Sequence, residues 1–196
     1  MSPFEGECGP TRAPTLLGRR FLLVGAPRNL KKICRDLPDS AGAYPKRVLT
    51  ISRAHLEAMA RHARADHPDE ACGVIAGPVG SDRPERFIPM VNAARSPTFY
   101  EFDSGDLLGL YREMDDRDEE PVVIYHSHTA TEPYPSRTDI SYASEPGAHY
   151  VLVSTRAHGN ADGPVEIRSY RIVDGIVTEE SIIVAETGEA LATVGP

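Results

Sequence analysis

From residue 47 onward, apolar positions fall into short blocks whose period switches between two kinds. VLTI (48–51) has the make-up of a short strand. In SRAHLEAMARHARADH (52–67), Leu56, Met59, Ala60 and Ala63 recur at helical spacing, and Ser52 stands where an N-cap belongs. ACGVIAG (71–77) is a nearly unbroken apolar run closed by glycine and proline, the pattern of a strand buried on both faces. RFIPMVN (86–92) predicts a second strand, and SGDLLGLYREMDDRDE (104–119) a helix opened by Ser104. PVVIYHSH (121–128) predicts another buried strand with its polar residues gathered at the end, and SRTDISYASEPG (136–147) a short helix. HYVLVST (149–155), VEIRSYRIV (165–173) and IVTEESIIV (176–184) predict three strands, the last two joined at Asp174-Gly175, a hairpin signal. Interleaved helices and strands with an antiparallel finish predict a single α/β domain over residues 47–184, with a mixed, mostly antiparallel sheet and flanking helices.

The two ends differ from this body. Residues 1–46 are rich in Pro, Gly and Arg, show no sustained period and read as a basic N-terminal extension; residues 185–196 read as a C-terminal tail. Net charge is −8, distributed unevenly. Residues 1–47 carry nine Lys/Arg against four Asp/Glu, and the remainder twelve against 25. So acidic a body argues against a nucleic-acid surface. No apolar run approaches the roughly 18 residues of a membrane span. GRRFLLVGAPRNL (18–30) opens like a twin-arginine export signal, but its apolar run is short and broken by Pro27 and Arg28. Cys8, Cys34 and Cys72 have neither metal spacing nor an even count, which fits a reducing cytoplasm.

The chemistry concentrates in HSHTATEPYPSRTD (126–139). Side chains alternate along a strand, so His126 and His128 point the same way where a buried strand emerges. Asp139 lies in the first turn of the next helix, and a loop of about ten residues can fold that turn back over the strand end. Two imidazoles and a carboxylate make a three-ligand site, the number typical of catalytic zinc, whose bound water has a pKa near about 7. Ser136, on the same loop, can donate toward a developing oxyanion. Glu70 abuts the apolar ACGVIAG run, where desolvation would raise its pKa toward that of a proton shuttle.

This constellation resembles the motif of the JAMM (MPN-plus) zinc isopeptidases, with Thr129 standing where many eukaryotic members have proline. The stretches RADHPDEACGVIAG, SDRPERFIPMVNAARSPTFYEFDSG, PVVIYHSHTATEPYPSRTD, HYVLVSTR and SYRIVDG are similar to an actinobacterial branch of that family. Members of that branch remove cysteine from the C terminus of a ubiquitin-like sulfur-carrier protein. The resemblance implies one Zn2+ per chain held by His126, His128 and Asp139, Glu70 as the catalytic carboxylate and Ser136 as the oxyanion donor. It also implies a carrier ending in diglycine-cysteine as partner. Only nine residues separate Asp139 from His149, which leaves no room for the insertion that polyubiquitin-cleaving relatives use, and so favours a small leaving group. Residues 1–46 lie outside the resemblance, and the sequence leaves a homodimer open.

Plainer readings stand beside these. Ser-x-x-Asp before a helix is also a capping box, and cap and site can coexist. Asn92, Ser96 and Tyr134 are expected to line a groove for an extended tail, with surface turn chemistry as the alternative. His55 and His62 read as a solvated helix face, His67, His149 and His158 as structural, and Cys72 as a small core residue. Besides a peptidase of the same family acting on another ubiquitin-like conjugate, two functional alternatives remain. One is a non-catalytic interaction module of the same fold, which retention of all five site positions disfavours. The other is a cupin-like or Fe(II) facial-triad enzyme, since two His and a carboxylate also suit iron; a cupin would be nearly all strand.

Overall fold

The computed structural model describes residues 48–157 and 165–185. The expected basic extension, the arginine-pair stretch, Cys8, Cys34, His158 and the tail beyond 185 lie outside these residues. Among the described residues, seven strands and three helices are interleaved: β1 (Val48–Ser52), α1 (Arg53–Asp66), β2 (Cys72–Pro78), β3 (Arg86–Met90), α2 (Ser104–Asp116), β4 (Glu119–His128), α3 (Arg137–Tyr142), β5 (His149–Ser154), β6 (Glu166–Val173) and β7 (Ile176–Ala185). One sheet runs in the order β1-β7-β6-β5-β4-β2-β3. The β1–β7 and β4–β5 pairs are parallel and the other four antiparallel, the mixed sheet the pattern predicts. With helices of 14 and 13 residues, the fold is not that of a cupin.

Burial follows the apolar runs. β2, β4 and β5 are central strands, and every residue of β5 and the last seven of β4 are buried. One core layer packs Met59 and Ala63 of α1 against Leu49, Ile51, Ile75, Val123, Tyr125, Val151 and Val153. On the other face, Leu110 and Met114 of α2 cover Cys72, Val74 and Ala76. Burial pushes the Cys72 thiol up to about 12, so it behaves as a small core residue. Gly73 is required by close approach: a Cβ there would lie 2.5 Å from the Ile88 carbonyl oxygen and 2.6 Å from the Tyr125 hydroxyl. Asp174 and Gly175 both take positive φ, 50° and 77°, as a primed hairpin turn demands.

Three local details differ from the sequence expectation. The cap of α2 is Asp103, whose Oδ1 accepts from the amides of Gly105 and Asp106; a carboxylate one residue earlier supplants Ser104. Strand β3 stops at Met90, and Asn92 pairs instead with Phe102 across a loop. His55 is half-buried, with desolvation lowering its pKa, and His62 is not solvated either. Its Nδ1 lies 2.8 Å from the buried Tyr125 hydroxyl and its Nε2 3.3 Å from Asp66, because position 62 borders the buried stripe of Met59 and Ala63. His149 is structural, wholly buried and held between Glu180 (2.6 Å) and Asp82 (2.9 Å), with Arg171 completing the cluster.

Candidate metal centre

Strand β4 runs between β2 and β5, so its end is clamped on both sides: His126 pairs with Cys72 and Leu152, and His128 with Ser154. Both imidazoles are buried, at 1% and 7% exposure, and alternation sends them to the same face. Between them, Ser127 points the other way. Its hydroxyl accepts from the Ala71 amide at 2.8 Å, and its own amide donates to the Ala71 carbonyl at 2.9 Å. That exchange fastens the residue after Glu70 to the strand that carries the histidines, a role that went unread in the sequence.

Helix α3 delivers the third group. Ser136 is its N-cap and Asp139 its third residue, and the two form a reciprocal capping box. Ser136 Oγ accepts from the Asp139 amide at 3.2 Å, and Asp139 Oδ2 accepts from the Ser136 amide at 2.6 Å. The cap aims the carboxylate: Asp139 Oδ2 lies 3.4 Å from His126 Nε2 and 3.4 Å from His128 Nε2. The two Nε2 atoms are 3.2 Å apart. The oxygen that caps the helix is thus also the one that faces both imidazoles.

These distances test whether the residues fit a zinc ion. With metal–ligand bonds of about 2.0–2.1 Å, the corners of a tetrahedron lie roughly 3.3 Å apart. The three donor atoms form a triangle of that edge. His128 is also in the right tautomer, since its Nδ1 sits 3.0 Å from the Glu132 carbonyl oxygen and donates to it, which leaves Nε2 as the lone-pair donor. His126 is held by stacking, its ring 4.5 Å from that of Tyr100 and inclined by 24°. Among the described residues this is the one group of His, Cys, Asp and Glu arranged to hold a metal.

The two imidazoles are shifted in opposite directions: burial pulls His128 down, but Asp139, the Glu132 carbonyl and Glu70 outweigh it and hold His128 above the ordinary imidazole pKa. Burial holds the His126 imidazole below its ordinary pKa, so it is neutral and able to ligate. Burial also opposes ionisation of Asp139, but its contacts with His126 and His128 and the hydrogen bond from the Ser136 amide overcome it and hold the carboxyl well below the usual range. Glu70 is 5% exposed. Burial, helped by the Asp139 charge and opposed by His128, raises its carboxyl from 4.5 to about 7.

The sequence-proposed substrate contacts separate. Tyr134 is half exposed on the β4–α3 loop, edge-on to Tyr170. Asn92 is not a groove residue: at 5% exposure its side chain donates to the Glu70 and Phe99 carbonyls and accepts from the amides of Ala94 and Glu101. Ser96 offers its carbonyl to the Glu70 amide at 2.9 Å. Tyr100, Ser127 and Asn92 act through contacts between distant segments, and no local spacing announces them.

The model of prokaryotic homologs of the JAB domain matches residues 52–173. The chain belongs to this JAB family. Among similar proteins, a CysO-cysteine peptidase of Mycobacterium tuberculosis is 66% identical over 140 residues, covering 71% of this chain and 92% of that protein. A desampylase of Haloferax volcanii is 35% identical over 116 residues, covering 54% of this chain and 84% of that one. The JAB domain also superimposes on the solution structure of protein DSY2949 from Desulfitobacterium hafniense with a TM-score of 0.60 at 30% identity, covering 71% and 94% of the two chains. No helix among the described residues is long and apolar enough to cross a membrane.

Proposed function

We propose that this JAB-family protein is a zinc-dependent peptidase. Its bond would be the amide between the C-terminal glycine of a ubiquitin-like sulfur-carrier protein and cysteine. The observation that carries the reading is the tetrahedral-edge triangle of His126, His128 and Asp139 beside a carboxyl whose pKa is about 7. The similarity to a CysO-cysteine peptidase supports the choice of substrate.

A zinc ion held by these three side chains would supply Lewis acidity and a water that ionises near neutral pH. Glu70 takes a proton from the attacking water and returns it to the departing amine, and a pKa of about 7 suits both transfers at neutral pH. Ser136 Oγ accepts from the Asp139 amide, so its own proton is available to the carbonyl oxygen as charge gathers there. Tyr134 flanks the extended carrier tail. Water is consumed, the carbon–nitrogen bond breaks, and the products are a carrier ending in a glycine carboxylate and free cysteine.

The test is to incubate the protein with a sulfur carrier bearing C-terminal diglycine-cysteine and to weigh the product. Loss of one cysteine residue, abolished by a chelator and by His126→Ala, is the expected result. Intact adduct after incubation with zinc-loaded protein would refute the substrate. The desampylase relative motivates the second reading, a peptidase on another ubiquitin-like conjugate, which the same assay tests with a carrier–lysine isopeptide.

A further inference from the structure

The loop from Asn92 to Phe102 reaches every part of the metal centre. Tyr100 stacks on His126. The Pro97 carbonyl accepts from the Thr129 hydroxyl at 2.8 Å, just beyond His128. Phe99 packs edge-on against Tyr142, in the helix that carries Asp139, with ring centres 6.3 Å apart. Ser96 and Asn92 hold Glu70.

The loop is built around one buried amide. Asn92 Oδ1 accepts from Ala94 N (3.0 Å) and Glu101 N (3.1 Å), and its Nδ2 donates to Phe99 O (3.0 Å) and Glu70 O (2.9 Å). Two donors and two acceptors are all that a carboxamide has, and each is used. The arrangement also fixes its orientation: a flipped amide would face two N–H groups with its NH2 and two carbonyls with its oxygen. Three of the four bonds close the loop on itself, and the fourth reaches outside it, to Glu70. From the other side, the Glu70 amide donates to Ser96 O at 2.9 Å. Glu70 lies outside the regular part of β2, so these two bonds stand in for the ladder a strand residue would have.

We propose that Asn92 is a positioning residue for Glu70, fixing its backbone through the loop so that the carboxyl meets the metal centre at one distance. The proposal rests on the hydrolase reading above and adds a residue outside its reacting groups. Glu70 must reach first the attacking water and then the departing nitrogen, and a displacement of about 1 Å in such a group costs on the order of 100-fold in rate. Asn92→Asp keeps the shape and both acceptor roles but removes the two donated bonds, including the one to Glu70.

The experiment compares wild type, Asn92→Asp, Glu70→Gln and the double variant as zinc-loaded full-length proteins on the carrier–cysteine adduct. Asn92→Asp is expected to lower kcat about 10- to 100-fold with KM within about twofold and one zinc per chain retained. In the Glu70→Gln background the same substitution should cost no further activity. In metal-free protein, hydrogen exchange at the Glu70 amide should be faster in Asn92→Asp than in wild type. An equal loss of kcat in both backgrounds, loss of zinc, or unchanged Glu70 exchange would overturn the proposal. Adduct left uncleaved by wild type would instead overturn the choice of substrate, and the exchange measurement would still judge the role of Asn92. Should Asn92→Asp not fold, Thr129→Val, which cuts the partly exposed tie of the same loop to β4, carries the same comparison with a smaller expected loss.

Discussion

Replacing Glu70 by glutamine should make the metal-free protein more stable at alkaline pH while it destroys catalysis. Burial raises the folded-state carboxyl from 4.5 to about 7, so the folded protein holds this proton more tightly than the unfolded chain does. The stability this contributes is fully present below pH 4.5 and is lost as pH rises through 7. At about 1.36 kcal/mol per pH unit, that interval sets a ceiling of roughly 3 kcal/mol. Burial around the carboxyl is incomplete, and allowing for solvent screening leaves about 2 kcal/mol. Glutamine has the same shape and no charge to desolvate. For a domain of this size about 2 kcal/mol corresponds to some 6 °C. Thermal unfolding of chelator-treated wild type and Glu70→Gln, followed by circular dichroism, should therefore show the variant about 6 °C higher at pH 8, with the gap closing near pH 5. On the carrier–cysteine adduct, the zinc-loaded variant should lose about 100-fold or more in kcat. A Tm difference that is the same at both pH values, or a variant less stable at pH 8, would refute the claim that desolvation of Glu70 is what prepares it as a proton carrier.

Asp139→Asn keeps an acceptor for the Ser136 amide but removes the anionic ligand, so atomic absorption should find well under one zinc per chain in a protein whose circular dichroism is unchanged. Ser136→Ala removes both an oxyanion donor and an N-cap; kcat should fall about 100-fold, and stability by about 1 kcal/mol in denaturant titration, with zinc content intact. Gly73→Ala drives a methyl into the Ile88 carbonyl and the Tyr125 hydroxyl, and urea unfolding should show a loss of about 3 kcal/mol or an insoluble protein.

What was legible in the sequence, and what was not, divides by range. The central strands were readable because a strand buried on both faces is an apolar run, as in ACGVIAG and PVVIY. The cluster of His126, His128 and Asp139 was readable because the strand period puts the two histidines on one face and the helical first turn brings Asp139 to them. Asn92 and Ser96 were read as groove residues because polar loop residues are ordinarily on the surface. The structure buries the Asn92 amide among four partners, three of them seven or more positions away. His62 was misread for the same reason: its partner Tyr125 is 63 positions distant, and no helical pattern reports that. Ser127 and Tyr100 likewise act on Ala71 and His126 across gaps of 56 and 26 positions.

The pairing of β1 with β7 carries a consequence for biosynthesis. β1 is the first described strand to leave the ribosome, yet its one neighbour in the sheet among the described residues is the last described strand. Leu49 and Ile51, fully enclosed in the finished molecule, must wait for Ile182 and its neighbours before their edge is covered. Among the described residues, a nascent chain halted before residue 176 therefore lacks the sheet partner of this hydrophobic ribbon for most of its translation, which makes the ten-residue β7 the step that shields the product from self-association.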